Sequence, residues 1–266
     1  MIKQSNILEK IVAKKKLEID ESKSLISVSE LENFEFFQRE CFSLRDFILS
    51  DHHTGIIAEF KRASPSKGII NEKVRVSDVT RAYVSAGASA LSILTDESFF
   101  GGKKEDLIEA RKANHIPILR KDFILDEYQI LEAKAWGADI ILLIASILTP
   151  ALIQNLAKFA KVLGLNVLLE VHNREELDRS LCNDLDAVGV NKRNLGNFSV
   201  SLQHSYDLVE HIPNQFLKIS ESGLSNPKTI QDLKKAGFNG FLIGETFMKE
   251  IDPGKAMEEF VKQVKD

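Results

Sequence analysis

Apolar residues along this chain recur at two spacings that take turns. From residue 55 onward, short aliphatic or β-branched runs lie near 56–61, 90–94, 117–121, 139–144, 166–171, 187–191, 217–221 and 240–243. Each has the length and composition of a buried strand, and each precedes a segment whose apolar positions return at helical spacing. Those segments are Ser77–Ala86, Lys103–Ala113, Glu127–Trp136, Pro150–Leu163, Arg174–Cys182, Ser199–His211, Pro227–Ala236 and Pro253–Val264. Several close on glycine, as in Ala86-Gly87-Ala88, Trp136-Gly137-Ala138 and Ala236-Gly237-Phe238, where a left-handed residue ends a helix. Upstream, Ile7, Leu8, Ile11, Val12 and Ile19 recur at helical spacing among lysines and acids, which predicts an amphipathic helix with a charged outer face.

Strands alternating with helices imply a parallel sheet, open or closed. Eight repeats favour closure, so the predicted fold is α/β: a single (β/α)8 TIM barrel over residues 55–266, the catalytic domain, with an N-terminal helical extension over 1–54 packed on it. An open dinucleotide-binding sheet would carry G-x-G-x-x-G after its first strand; no strand end here does, and no G-x-x-x-x-G-K-[ST] loop is present. No low-complexity tract or proline-rich linker divides the repeats.

Composition narrows the class of ligand. A net charge of −4 gives no basic field for nucleic acid or an anionic membrane, so an anionic ligand should be a small molecule. The N-terminus lacks the continuous apolar core of an export signal, and the longest apolar stretch, Ile140 to Ala145, is far too short to span a bilayer. Cys41 and Cys182 match no metal or redox spacing, which points to free thiols in a reducing compartment, with the cytoplasm the expected location.

The candidate chemistry sits where the strands end. In Gly55-Ile-Ile-Ala-Glu-Phe-Lys-Arg-Ala-Ser-Pro-Ser-Lys-Gly68, period-two geometry puts Ile57, Glu59 and Lys61 on one face and Ala58, Phe60 and Arg62 on the other. Opposite charges on a core strand are costly unless paired or used, the plain alternative being a surface salt bridge on an edge strand. In a barrel the carboxyl ends of the strands form the active face. That rim would also carry Lys121 from the third strand, Glu170 from the fifth, Asn191 and Arg193 from the sixth, and Glu221 and Ser222 from the seventh.

Ser220-Glu-Ser-Gly223 and Ile243-Gly-Glu-Thr246 suggest a phosphate site after the last two strands, with Gly223, Gly244 and the backbone of Glu245 as donors and Thr246 capping a short helix. Ser64, in the loop Ser64-Pro-Ser-Lys-Gly68, would add another donor; each glycine could equally be a plain turn. His52, His53, His115, His204 and His211 read as surface residues, whereas His172 shares a face with Glu170; no histidine pair has metal spacing, so no metal site is expected.

These motifs carry a resemblance. Ile57-Ala-Glu-Phe-Lys-Arg-Ala-Ser-Pro-Ser-Lys-Gly68, Leu94-Thr-Asp-Glu-Ser-Phe-Phe-Gly101, Ile118-Leu-Arg-Lys-Asp-Phe123, Leu168-Leu-Glu-Val-His172, Gly189-Val-Asn-Lys-Arg-Asn-Leu195, Ser220-Glu-Ser-Gly223 and Leu242-Ile-Gly-Glu245 follow one another in the order seen in the indole-3-glycerol-phosphate synthase family. The N-terminal Ile7-Leu-Glu-Lys-Ile-Val-Ala-Lys-Lys-Lys resembles that family's extra helices, so the likeness covers nearly the whole chain.

The resemblance implies closure of the pyrrole ring of 1-(2-carboxyphenylamino)-1-deoxyribulose 5-phosphate to indole-3-glycerol phosphate, with loss of carbon dioxide and water and without a cofactor or metal. It implies Lys121 as general acid, with an ammonium pKa expected to be depressed by a cationic mouth. Glu170, Glu59 and Lys61 are the further acid–base groups, among which the sequence does not apportion dehydration; the preferred division has Lys61 as acid and Glu59 as base, with Glu170 holding Lys121 or sharing its proton transfer, and Lys61 as an alternative binder of the substrate carboxylate. By the same likeness Asn191, Arg193, Glu221 and Ser222 hold sugar hydroxyls and orient the carboxylates, while Phe100, Phe123 and Leu142 line the aromatic-ring pocket, although phenylalanine is abundant enough for these to be ordinary core.

Two departures stand out: Lys192 where the family commonly has asparagine, and Glu245 where serine is frequent, a carboxylate that must turn away from a phosphate. The expected partner is the anionic sugar phosphate alone, on a monomer or at most a weak dimer. Two alternatives remain at this point: a Schiff-base sugar-phosphate aldolase with Lys121 as nucleophile, and a non-catalytic sugar-phosphate-binding barrel.

Overall fold

The computed structural model describes residues 7–192 and 203–265. The chain enters through three helices, α1 (Ile7–Leu25), α2 (Val28–Glu32) and α3 (Leu44–Leu49). Eight parallel strands then close on themselves: β1 (Ile56–Phe60), β4 (Ala90–Leu94), β5 (Ile118–Lys121), β6 (Ile140–Ile144), β7 (Asn166–Val171), β8 (Ala187–Asn191), β9 (Leu217–Glu221) and β10 (Gly240–Ile243), with β1 pairing to both β4 and β10. The short β2 (Ala63–Ser64) and β3 (Gly68–Ile69) form an antiparallel hairpin in the loop after β1. Around the barrel lie α4 (Val76–Ser85), α6 (Lys104–Ala113), α7 (Glu127–Trp136), α8 (Pro150–Val162), α9 (Arg174–Ser180), α10 (Gln203–Val209), α11 (Pro227–Lys235) and α13 (Pro253–Lys265).

The fold is the (β/α)8 barrel that the repeat count implied, and the eight strands match the predicted runs to within a residue or two. Two one-turn helices, α5 (Glu97–Phe100) and α12 (Glu245–Met248), have no periodic signature, because four residues are too few to show one. Gly87, Gly137 and Gly237 follow α4, α7 and α11 with φ of 97°, 93° and 106°, the left-handed closure expected of them. Proline in the first turn and a side-chain N-cap start α8 (Thr149) and α11 (Asn226).

Strand parity sorts the core into two shells. Ile57, Leu119, Ile140, Leu142, Ile144, Leu168, Ile219 and Leu242 point inward, whereas Ile56, Ala58, Phe60, Leu91, Ile93, Ile141, Leu143 and Leu169 face the helices. Leu44 and Ile48 of α3 belong to the inner cluster, so this helix plugs the end of the barrel where the strands begin. At that end Asp139, fully buried, accepts from Arg39 at 2.7 Å, Arg111 at 2.8 Å, and the backbone N–H groups of Phe42 and Ile118 at 2.8 Å each. One carboxylate thus ties the N-terminal segment to the wall.

Removing it would leave two guanidinium groups without their counter-charge. Asp139→Ala is expected to cost about 3–5 kcal/mol, the range for breaking a buried ion pair, read as a lowered denaturant midpoint. A loss below about 1 kcal/mol, the worth of a surface pair, would contradict this role.

Candidate active site

At the opposite end of the barrel, where the strands finish, lies a cavity of about 940 Å³. Its floor is set by inward positions one or two residues beyond the inner core. Glu59 follows Ile57 on β1, Glu170 follows Leu168 on β7, and Glu221 follows Ile219 on β9, so parity alone aims three carboxylates at one point. Lys121 ends β5 and Lys61 lies one residue past β1.

The charges pair within this floor. Lys121 Nζ is 3.1 Å from Glu170 Oε2 and 3.9 Å from Glu221 Oε2; Lys61 Nζ is 2.9 Å from Glu59 Oε1. His172 approaches the other Glu170 oxygen at 3.6 Å and Glu176 at 3.4 Å. Glu170 and Glu221 are only 3% and 2% exposed, so these charges interact with little water between them.

Burial and proximity push the two carboxyls apart. Burial raises Glu170, but the charges of Lys121 and His172 and a hydrogen bond from Asn191 outweigh it and bring its pKa down to about 2. Glu221 goes the other way: burial and the adjacent Glu170 charge raise it well above the ordinary carboxylate range, more than Lys121 can offset. Of the two, Glu221 is the carboxyl that takes up a proton more readily and Glu170 the one held ionised. The Lys121 ammonium is lowered by burial, but Glu170, Glu221 and Glu59 more than reverse this and raise its pKa. That corrects the expectation of a depressed value: three acids converge on Lys121, and the mouth is not cationic. His172 is also raised, because Glu176 and Glu170 outweigh its burial.

Two glycines make this convergence possible. A Cβ on Gly189 of β8 would lie 2.1 Å from Glu221 Oε1, and one on Gly244 would lie 2.5 Å from Glu59 Oε1. Gly244, expected as a phosphate donor, thus also makes room for Glu59.

The cavity wall includes the other expected residues Phe100, Phe123, Leu142, Asn191, Ser222, Ser64, Gly223, Gly244 and Glu245. Phe100 and Phe123 have ring centroids 6.1 Å apart at one side. Ser222 is held at φ 66°, a costly conformation for a residue with a Cβ, and its hydroxyl donates to Asn191 Oδ1 at 2.9 Å. Across the cavity the hairpin tip at Ser64–Lys67 faces Gly223, Gly244 and Glu245. Glu245 lies 3.7 Å from Lys67. Thr246 does not cap α12: Gly244 holds that position, and the Thr246 hydroxyl donates to Leu224 O at 3.0 Å instead. Arg193 lies outside the described residues. Lys192 is 4% exposed, its ammonium meets no acceptor among the described residues, and burial, partly countered by Glu221, lowers its pKa to about 8.

The roof of the cavity comes from outside the barrel strands. Ile7, Leu8 and Ile11 of α1 line the cavity, and Lys15, read as part of a charged outer face, is 5% exposed and paired with buried acids. Its spacing of four from both Ile11 and Ile19, the other buried residues of α1, was the available signal. Among the described residues no group of three or more His, Cys, Asp or Glu side chains is placed to hold a metal. No described helix is long and apolar enough to cross a membrane.

Fold and rim together define a barrel enzyme whose mouth is built from paired acids and bases. The fold is shared widely: the chain superposes on a chain of the Pyrococcus furiosus tryptophan synthase complex with a TM-score of 0.60 at 17% identity, covering 80% of this chain and 98% of that one. A structure titled KGPDC from Streptococcus mutans matches with a TM-score of 0.60 at 12% identity, covering 79% and 96%. Sequence is more specific. The family model of indole-3-glycerol phosphate synthase matches residues 8–260. A Bacteroides thetaiotaomicron protein named indole-3-glycerol phosphate synthase is 46% identical over 97% of this chain and 99% of its own length, and one from Burkholderia ambifaria is 41% identical over 95% and 98%. The chain belongs to the indole-3-glycerol phosphate synthase family, a family of carboxy-lyases.

The raised Glu221 has a consequence for stability. Below the unfolded carboxyl pKa, Glu221 is protonated in both states and contributes nothing; above it, the unfolded chain ionises first and is favoured. Glu221→Gln, which mimics the neutral form, is expected to raise the melting temperature by a few degrees at pH 7.5 and by less at pH 4. A variant that loses stability increasingly as pH rises would contradict the protonated assignment.

Proposed function

We propose that this chain catalyses closure of 1-(2-carboxyphenylamino)-1-deoxyribulose 5-phosphate to indole-3-glycerol phosphate in tryptophan biosynthesis, releasing carbon dioxide and water. The observation that carries the reading is the pairing of Lys121 with Glu170 and of Lys61 with Glu59 around one cavity, in a chain of this family.

In this reading the aryl ring sits between Phe100, Phe123 and Leu142, and the phosphate lies at the opposite wall. There the backbone N–H groups around Gly223, Gly244 and Glu245, with Ser64 and Lys67 on the hairpin, supply donors. Glu245 offers only its backbone, its carboxylate being turned to Lys67. The ring carbon bearing the carboxylate attacks C2 of the ketose. As that bond forms, the carbonyl oxygen becomes an alkoxide and takes the proton of Lys121. Glu170 holds the ammonium in place, and the raised pKa keeps it charged, so it stabilises the developing oxyanion before donating to it. Carbon dioxide then leaves with its bonding pair retained by the ring, which restores aromaticity. Lys61, which also faces the substrate carboxylate, protonates the departing hydroxyl, and Glu59 removes the proton that the new five-membered ring must lose. Asn191, Glu221, Ser222 and Arg193 hold the sugar hydroxyls.

The same charge state argues against a Schiff-base aldolase, which needs a neutral amine at Lys121. A non-catalytic binding barrel has no use for two buried acid–base pairs. We further propose a catalytic barrel over residues 55–266, acting as a monomer in the cytoplasm, where the two unpaired cysteines stay reduced.

Mixing the protein with the carboxyphenylamino-deoxyribulose phosphate should generate indole fluorescence; no signal at high protein concentration would overturn the assignment. Lys121→Ala should lose on the order of 10²–10⁴ in turnover, and an unchanged rate would remove its role as acid. Borohydride with a keto-sugar phosphate should leave Lys121 unmodified, whereas a trapped adduct would favour the aldolase.

A further inference from the structure

Lys15 lies on the third turn of a helix outside the barrel, yet its ammonium is inserted into the barrel rim. Its Nζ is 2.9 Å from Asp96 Oδ2, 3.0 Å from Asp122 Oδ1 and 2.7 Å from Glu18 Oε2. Asp96 and Asp122 are 0% and 3% exposed, so they form a pair of like charges in a water-poor place that Lys15 alone bridges from the helix side.

Each of the two acids positions a phenylalanine. Asp96 is the N-cap of α5: its Oδ1 accepts the N–H of Phe99 at 2.8 Å, which orients the turn ending in Phe100. Asp122 Oδ1 accepts the N–H of Phe123 at 2.8 Å, while its other oxygen takes the Thr95 hydroxyl at 2.6 Å and Arg120 at 3.2 Å. Phe100 and Phe123 are the two rings that face each other across the cavity wall. One turn before Lys15, Ile11 lines the same cavity, with Ile7 and Leu8 beyond it.

We infer that Lys15 is the positioning residue of the ring-binding half of the site, setting Phe100 through Asp96 and Phe123 through Asp122 while holding α1 over the mouth. This rests on the proposed function, in which those phenylalanines receive the aryl ring. Without the ammonium, Asp96 and Asp122 repel each other across the gap between the loops after β4 and β5, and the two rings separate. The phosphate wall, built from the loops after β1, β9 and β10, contains neither acid.

The test compares wild type, Lys15→Met and Lys15→Arg in steady-state kinetics and in direct binding of two probes, indole-3-glycerol phosphate and inorganic phosphate. Lys15→Met should raise KM and weaken the indole ligand by about tenfold or more, as expected for a misplaced binding wall. Its phosphate affinity should be unchanged and kcat should fall less than KM rises, with Lys15→Arg recovering most of the loss. Unchanged KM and indole affinity, or equal weakening of both probes, would overturn the role. If Lys15→Met does not fold, Asp96→Asn keeps the cap but drops the charge facing Lys15, and the same selective loss of the indole ligand is required of it. Wild type inert toward the substrate would overturn the site reading and this role together; an active wild type with an unaffected variant overturns only this role.

Discussion

The site depends on one buried cluster in which Lys121, Glu170 and Glu221 share the top of the barrel, the first two held charged and Glu221 pushed toward its neutral form. Lys121 and Glu170 are taken out of water together, and the cost of doing so is offset because they lie 3.1 Å apart while Glu221, the third acid at that point, is pushed toward its neutral form. Were Glu221 charged as well, the floor would hold two adjacent carboxylates against one ammonium. The backbone is shaped to this requirement: Gly189 has no side chain because Glu221 Oε1 occupies the space its Cβ would need. Lys121 is thereby fixed, charged and aimed at the cavity before any ligand arrives, which is the preorganisation that stabilising a developing oxyanion requires.

The N-terminal segment works at both ends of the barrel. At the bottom α3 plugs the interior with Leu44 and Ile48, and Asp139 gathers Arg39 and Phe42 onto the wall. At the top α1 supplies part of the cavity roof and inserts Lys15 between two acids of the rim. A barrel lacking this segment would have an open bottom and an unbalanced charge pair beside its ring pocket. The extension is thus continuous with the site in space although it is remote in sequence.

Much of this was legible because parallel barrel strands are buried on both sides and read as short apolar runs, so an ionisable residue at the end of such a run stands out. Glu59, Lys61, Lys121, Glu170 and Glu221 were visible for that reason, and parity gave their common direction. What stayed hidden depends on convergence between strands. The sign of the Lys121 shift follows from three acids on β1, β7 and β9 meeting at one point, a fact no single segment contains. Lys15 is one of several lysines in its helix, distinguished only by its spacing from Ile11 and Ile19. The Lys67–Glu245 approach joins loops far apart in the chain, and the bond from Thr246 to Leu224 joins the segments that follow two successive strands.

Infrared difference spectroscopy of the carboxyl groups at neutral pH, comparing wild type with Glu221→Gln, reads the charge state of this cluster. A protonated carboxylic acid signal is expected in the wild type at pH 7 and should be absent from the variant. A wild type showing only ionised carboxylates at that pH, with Glu221→Gln removing a carboxylate band instead, would contradict a neutral Glu221.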